Sequence, residues 1–189
     1  MASAIISEPM TTEALLALPD NGMERWLLRG ELQEKPMTVR NRMHSKVMAR
    51  LTARLQHWLD SQPEPRGEVL CGEAGVRLAR NPDTTVGVDV VYISAETAAR
   101  QSDKTTLIEG VPQLVVEILS PSDTLDEINE KIDTYLSAGV PLVWIVEPRR
   151  RTVTVYRPKG PATLVVEGHE LSGEQVLPGF HAPLEELFR

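Results

Sequence analysis

The sequence contains very little cysteine: Cys71 is the only one in 189 residues. A single cysteine forms no disulfide within the chain and cannot build a cysteine-rich zinc site. Long apolar runs are also missing, and the initial segment MASAIISEPM has neither the basic region nor the long apolar core of a secretion signal. These absences predict a cytoplasmic protein, in a reducing compartment, without a membrane segment.

The chain also lacks low-complexity tracts and any repeat of solenoid period. Its composition, 41% hydrophobic and 25% charged, is typical of a globular protein. A length of 189 residues suits one domain with a substantial core. We therefore expect a single domain over residues 1–189, with a short N-terminal helix at about residues 11–18.

Acidic residues are absent from one segment of an otherwise acidic chain. The net charge is -7, which argues against a general nucleic-acid coat because counterion release needs clustered Lys and Arg. Between Pro36 and Leu59, however, there is no Asp or Glu. Residues 41–61 have helical periodicity, and cations recur at helical spacing along one face: Arg42, Lys46, Arg50 and Arg54. They are candidates for contact with a DNA backbone, and the alternative is the solvated side of an amphipathic helix.

Two apolar segments each carry one acidic residue near the centre. Asp89 lies in VGVDVVYIS (86–94) and Glu117 lies in LVVEILS (114–120). Both segments have the composition of buried strands, where an ionised carboxylate needs a cation, strong hydrogen bonds or water. Together with the other predicted strands and helices they favour an α/β (α+β) fold, in which helices flank a mixed central sheet. If the two strands are neighbours, the carboxylates can meet and bind a hard cation such as Mg²⁺.

A lysine can be placed near this pair by geometry. Glu117 precedes the expected strand end at Ser120 by three residues, or ~10 Å. If the next helix starts at about Thr124 and folds back along the strand, Lys131 lies ~10 Å down it and reaches the same level. On a helical wheel Lys131 borders the apolar, sheet-facing stripe, beside its members Ile128 and Tyr135, so its ammonium could point toward the carboxylates.

Two acids and a lysine around a hard metal ion are groups that can cleave a phosphodiester. The metal lowers the pKa of a bound water and stabilises charge on the phosphoryl oxygens. The lysine holds the nucleophile or neutralises the transition state. We expect Mg²⁺ as the cofactor, with Mn²⁺ as a substitute.

Several segments, in order, resemble the Uma-two family of bacterial proteins: GVDVVYIS, VPQLVVEILSPSDT, EKIDTYLSAGVPLVWIVEPRRRTVTVYRP and LPGF. The similarity covers about residues 24–188 and is strongest over residues 111–158. The resemblance implies the restriction-endonuclease-like PD-(D/E)XK fold and a Mg²⁺-dependent nuclease that acts on DNA.

The resemblance also implies a set of metal ligands. Asp89 corresponds to the aspartate of the motif, although Val88 replaces the proline that usually precedes it. Glu117 matches the (D/E) position, and the backbone carbonyl of Ile118 would be a further ligand.

Two more positions follow from the same resemblance. Leu119 occupies the lysine position of the motif, but in such proteins the lysine can move to the adjacent helix, where Lys131 is the matching residue. Glu31, in the segment RGEL, resembles an acid that many members of this fold place near the metal. From the residues alone, Glu73 is a further candidate acid at the cleft.

The same residues also fit purely structural roles. Asp89 and Glu117 could pair with arginines or lie exposed on a sheet face. Lys131 could pair with Glu127, one helical turn earlier. His44, near a helix start, could approach the cleft, but a surface or capping role is expected.

Three functions are compatible with the sequence. The first is a Mg²⁺-dependent DNA endonuclease. The second is a catalytically inactive nuclease-fold module that binds nucleic acid or a protein partner, which the acidic net charge and Leu119 favour. The third is hydrolysis of a small phosphorylated metabolite. A symmetric homodimer would suit duplex cleavage, and the strand at residues 152–158 could serve as an edge for pairing between subunits. Separately, Arg149–Arg151 are expected to form a charged hairpin turn.

Overall fold

A mixed β-sheet forms the centre of the computed structural model, which describes residues 8–37, 41–102 and 106–189. Its strands are β1 (Met23–Leu28), β2 (Glu31–Pro36), β3 (Glu68–Ala79), β4 (Thr84–Ile93), β5 (Ile108–Glu109), β6 (Leu114–Ile118), β7 (Leu142–Glu147), β8 (Thr152–Tyr156) and β9 (Thr163–Val165). Two further strands, β10 (Glu170–Ser172) and β11 (His181–Pro183), form a separate antiparallel pair. The helices are α1 (Thr12–Leu16), α2 (Arg42–Asp60), α3 (Ala95–Ala99), α4 (Leu125–Ala138) and α5 (Glu185–Phe188). The predicted fold class, a mixed sheet flanked by helices, is confirmed.

Helices α2 and α4 cover opposite faces of the sheet. Val47 and Leu51 of α2 pack in the same cluster as Val116 of β6. On the other face, Ile132 of α4 packs in a cluster with Val115. Successive residues of a strand point to opposite faces, so Glu117 shares the α4 face with Val115.

The sheet divides at β4. Strand β3 pairs along one edge of β4 over its whole length. A strand has only two edges, so β1 and β6 share the other one, β1 at Thr85 and β6 at Val90–Tyr92. Between these two pairings lies the stretch of β4 that contains Asp89. Strands β1 and β6 therefore separate beside Asp89 and leave a cleft that opens toward α4.

Some boundaries and edges differ from the sequence predictions. Helix α1 ends at Leu16 instead of residue 18, because Pro19 disfavours helical backbone at the residue before it. Strand β8 was expected at an edge, but β9 pairs with it over Val153–Val155. The prediction of an edge at β8 is therefore wrong, and β9 itself forms that side of the sheet.

No helix among residues 8–37, 41–102 and 106–189 is long and apolar enough to cross a membrane. Arg40, which belongs to the predicted cationic segment, lies outside the residues that the structure describes.

A buried carboxylate anchors α1 to the sheet. Asp83 Oδ2 accepts hydrogen bonds from the backbone N–H and the hydroxyl of Thr12, at 2.8 and 2.6 Å. Asp83 Oδ1 accepts one from the backbone N–H of Asn81 at 3.3 Å. Burial alone would raise the pKa of Asp83, but these hydrogen bonds and the nearby Arg77 outweigh it, so the pKa is lowered.

We predict that Thr12→Val lowers the free energy of unfolding by about 1–3 kcal/mol at pH 7, because the buried Asp83 loses a donor. Because the pKa of Asp83 is lower in the native than in the unfolded state, ionised Asp83 stabilises the fold at any pH above the unfolded-state pKa. This contribution is lost as the pH falls through the native-state pKa. The difference in unfolding free energy between wild type and variant should therefore become smaller at acidic pH. Urea unfolding at neutral pH and at about pH 3 measures it. Thr134→Val, at a half-buried position of α4, is the control, and an equal loss in both variants would contradict the prediction.

Candidate active site

Glu117 lies near the end of β6 and is 8% exposed. Its two carboxylate oxygens each lie 3.2 Å from the Lys131 ammonium. The Tyr135 hydroxyl donates a further short hydrogen bond to Oε1 of Glu117. Both partners belong to α4, which lies against this face of the sheet. The buried carboxylate is therefore compensated by one cation and one hydroxyl.

The three groups set each other's protonation. Burial raises the pKa of Glu117, while Lys131 opposes that rise. Burial disfavours the Lys131 ammonium, but the adjacent carboxylate outweighs it and the pKa of Lys131 is raised. Burial and the Glu117 charge raise the pKa of Tyr135 well above its usual value, so its hydroxyl remains a donor.

The start of α4 fixes the position of Lys131. Thr124 caps the helix: its hydroxyl accepts from the backbone N–H of Glu127, and the Glu127 carboxylate accepts from the backbone N–H of Thr124. Glu127 is thus occupied at the cap, and Lys131 pairs with Glu117 instead. The alternative pairing of Lys131 with Glu127 is not what the structure shows.

Asp89 lies on β4 and is 3% exposed. Its Oδ2 accepts a hydrogen bond of 2.7 Å from the backbone N–H of Ile118, the residue after Glu117. His44 Nε2 lies 3.1 Å from Oδ1 and 3.2 Å from Oδ2 of Asp89. Asp89 and Glu117 line one cavity, and neither is exposed or paired with arginine as the structural alternatives supposed.

His44 was expected at the surface or in a capping role, and this prediction is wrong. The residue is 1% exposed and reaches Asp89 from the first turn of α2. The cap is the preceding Asn41, whose side chain accepts from the backbone N–H of His44 at 2.9 Å. The cap turns the helix start toward the cleft, so the imidazole lies inside.

A second lysine closes one side of the cavity. Lys35 of β2 lies 3.7 Å from Glu24 of β1 and 3.7 Å from Asp123 in the loop after β6. Its ammonium also lies over the Trp26 ring, 5.6 Å from the centroid. All four residues line the cavity with Glu117. Lys35 thus connects the β1–β2 hairpin to the loop that leads into α4.

The structure does not bring Glu31 into this cavity. Glu31 is exposed at the turn end of the hairpin, opposite Leu28, whereas Glu24 pairs with Lys35 at the other end. The four residues from Glu24 to Leu28 span ~13 Å along the strand. Glu31 lines a different depression, and Glu24 is the acid that the hairpin contributes to the cavity. Glu73 lies outside the lining as well.

The cationic stripe of α2 is partly used within the fold. Arg54 pairs with the Glu186 carboxylate, and Arg50 donates to the Glu186 carbonyl at 3.2 Å. These contacts attach α5 to α2. Of the four predicted DNA contacts, Arg50 and Arg54 therefore have structural partners, and Arg42 and Lys46 lie toward the cleft end of the helix.

A family model, Uma2, described as "Putative restriction endonuclease", matches residues 12–185. The chain belongs to the Uma2 family. The resemblance to the Uma-two family is thereby confirmed. No curated protein sequence matches the chain.

The Uma2 chain is also similar to a solved structure, a "putative nuclease belonging to DUF820" from Anabaena variabilis ATCC 29413. The TM-score is 0.77 at 20% sequence identity, over 95% of this chain and 98% of the other. At this identity the likeness shows a shared fold.

The donor groups of the Uma2 site fit a hard divalent ion. Over the described ranges 8–37, 41–102 and 106–189, no group of three or more His, Cys, Asp and Glu side chains is arranged as a metal site. The candidate donors are instead two carboxylates, Asp89 and Glu117, with the carbonyl of Ile118, and a sparse oxygen set of this kind suits Mg²⁺, which completes its coordination with water. Asp89 Oδ1 is buried and has no hydrogen bond of acceptable geometry within the described part of the chain, although His44 Nε2 lies 3.1 Å from it.

Sequence analysis missed two functions of residues it had already noticed. Tyr135 was placed on the sheet-facing stripe of α4 as an apolar residue, but its hydroxyl reaches Glu117. A buried tyrosine needs a hydrogen-bond partner, so its position one turn from Lys131 was a usable signal. For His44 no periodic signal existed, because the contact with Asp89 crosses 45 residues of sequence.

We predict that Tyr135→Phe raises the pKa of Glu117 further, because the hydrogen bond from Tyr135 opposes that rise in the wild type. The variant should also lose about 1.5–3 kcal/mol of unfolding free energy, typical of a hydrogen bond to a charged group. Carbon-13 NMR titration of the glutamate carboxyls and urea unfolding measure the two effects. Tyr156→Phe, at a half-buried position of β8, is the control. An unchanged Glu117 titration would show that the hydroxyl does not act on the carboxylate.

Proposed function

We propose that this Uma2 protein is a Mg²⁺-dependent DNA endonuclease of the PD-(D/E)XK type. Membership of a family described as a restriction endonuclease supports a nuclease-type function. The observation that carries the finer proposal is the Lys131 ammonium 3.2 Å from both oxygens of Glu117, in a cavity that Asp89 also lines. Two acids and a lysine therefore line one cavity, although Leu119 occupies the lysine position of the PD-(D/E)XK motif.

Asp89, Glu117 and the carbonyl of Ile118 would hold the divalent ion. When bound, such an ion supplies an activated water and positive charge beside the phosphoryl oxygens. The chain itself contributes the orientation of its carboxylates. The Ile118 N–H and His44 orient Asp89, and Tyr135 and Lys131 orient Glu117, so both carboxylates are held in defined positions.

Lys131 acts as a fixed positive charge in this proposal. Its raised pKa keeps the ammonium protonated at neutral pH, so it is unsuited to accept a proton. An ammonium in a buried cavity is well suited to orient a water or to neutralise charge that develops on a phosphate.

The proposed substrate is DNA, with Arg42 and Lys46 as phosphate contacts near the cleft. A homodimer would allow both strands of a duplex to be cut, and β2 and β9 are the strands at the ends of the sheet path that could serve as pairing edges. The alternative is a non-catalytic nuclease-fold module, which the pairing of both Glu117 oxygens with Lys131 favours. Metal binding distinguishes the two.

We predict that the purified protein cleaves DNA in Mg²⁺ or Mn²⁺ and that Lys131→Met slows cleavage by about 100-fold or more, as expected for loss of one transition-state contact. Plasmid, linear duplex and single-stranded circular DNA should be compared. Lys159→Met, at an exposed loop position, is the matched control. Cleavage that persists at the wild-type rate in Asp89→Asn would point to a contaminant and refute the proposal, and circular dichroism establishes that each variant is folded.

We also predict that Mn²⁺ raises the melting temperature of the wild type, by an amount equivalent to about 2.7 kcal/mol at a hundredfold excess over Kd. Glu117→Gln should remove most of this shift because one of the two carboxylates is lost. Glu96→Gln, which changes an exposed acid on α3 that is 81% exposed, should keep it. An equal shift in all three proteins would place the ion elsewhere and favour the non-catalytic module.

A further inference from the structure

A second depression lies next to the candidate catalytic cavity. Its walls are the first turn of α2, the loop after β6, the first turn of α4, and the turn Pro148–Arg151 between β7 and β8. It has a volume of about 840 Å³, against about 30 Å³ for the cavity. We refer to it as the arginine groove. The cavity has room for about two waters, whereas the groove could hold part of a polymer.

The arginine groove is continuous with the cavity. Leu119, Asp123 and Ile128 line both. Leu119 is two residues after Glu117, and Ile128 is on the same face of α4 as Lys131, one turn earlier. A chain lying in the groove would therefore lead directly to the proposed scissile position.

The groove presents more cations than acids. Arg149, Arg150 and Arg151 form one wall. Both acids that line it have partners: Glu147 lies 3.3 Å from Arg150, and Asp123 accepts a hydrogen bond of 2.7 Å from the backbone N–H of Ser120.

Arg151 is held in place by contacts within the fold, whereas Arg149 and Arg150 lie at the surface. Arg151 pairs with Glu167 and lies over the Phe188 ring, 5.7 Å from the centroid. Arg149 and Arg150 are exposed. The pKa of Lys46 on α2 is lowered by burial first and then by cations that include Arg151, which places Lys46 and the turn in one positive field.

The walls of the groove also carry exposed apolar side chains. Met43 is 36% exposed and Leu125 is 72% exposed. A duplex presents sugars and phosphates to a protein surface, whereas a single strand also presents base faces. A groove lined by both apolar side chains and arginines therefore complements a single strand better than a duplex, since guanidinium groups contact phosphates and also stack on bases.

We propose that the arginine groove binds a single-stranded DNA segment adjacent to the bond that is cut, with Arg149 and Arg150 on its phosphates and Met43 and Leu125 against its bases. The inference rests on the proposed nuclease function and assigns the substrate form, a strand that is unpaired on one side of the cleavage site. The turn between β7 and β8 thereby has a role beyond the charged hairpin that its sequence suggests.

The test measures binding separately from cleavage. Fluorescence anisotropy in EDTA, where no divalent ion is present, compares a labelled single strand of about 20 nucleotides with a blunt duplex of the same length. Single-strand affinity should exceed duplex affinity in the wild type. In Arg149→Gln/Arg150→Gln, the single-strand Kd should rise about 25-fold at 0.1 M salt, and the slope of log K against log salt should fall by about 1.4, or 0.7 for each phosphate contact.

The control removes two arginines that do not line the groove. Arg80 and Arg100 are 58% and 65% exposed, and each pairs with one surface acid, as Arg150 does. Arg80→Gln/Arg100→Gln should bind the single strand like the wild type. Equal losses in both double variants, unchanged binding in the groove variant, stronger binding of the duplex, or no DNA binding at all would each overturn the inference.

The outcomes also separate this inference from the proposed function. A protein that cleaves DNA, but whose groove variant binds the single strand as well as the wild type, would refute the groove alone. A protein that shows arginine-dependent binding of the single strand, but cleaves no DNA, would refute the proposed catalysis and support the groove. Melting temperatures of both double variants establish that loss of binding does not come from unfolding.

Discussion

The ion pair between Glu117 and Lys131 is the constraint on which the rest of this site depends. A carboxylate that is 8% exposed near the end of an apolar strand would be too costly without compensation, and the compensation comes from the helix that follows the strand. The pair therefore fixes how α4 lies along β6. It also keeps an ammonium at the bottom of a cavity, where a positive charge has far more effect than at the surface.

The division of the sheet brings the second carboxylate to the same place. Because β1 and β6 share one edge of β4, the part of β4 between them is available to the cleft, and Asp89 lies there. The hydrogen bond from the Ile118 N–H then couples the two acidic strands directly. His44 reaches the same carboxylate from α2, so groups from both layers of helices converge on the point where the strands separate.

Much of this arrangement was predictable because it depends on local spacing. The rise per residue of a strand and a helix was enough to put Lys131 level with Glu117, and the apolar runs around Asp89 and Glu117 identified the strands. It was harder to predict which residues that are distant in the sequence lie close together in the fold. Whether Glu24 or Glu31 entered the cavity depended on which end of the hairpin approached α4, and the sequence contains no sign of that. His44 was misjudged because its partner is distant in the chain, and the edge at β8 because the sequence does not show which strand pairs with its outer side.

The capped start of α4 has a consequence for the length of the connection before it. Thr124 and Glu127 fix the first helical turn, so each position along α4 has a defined direction relative to β6. If α4 keeps its place against β6, deleting one residue between Leu119 and Thr124 shifts the helical sequence by one position and turns every following side chain by about 100° around the axis. The lysine would then face away from the acid although neither residue had changed. In this fold, the number of residues in a surface loop is as much a part of the candidate site as the side chains that it positions.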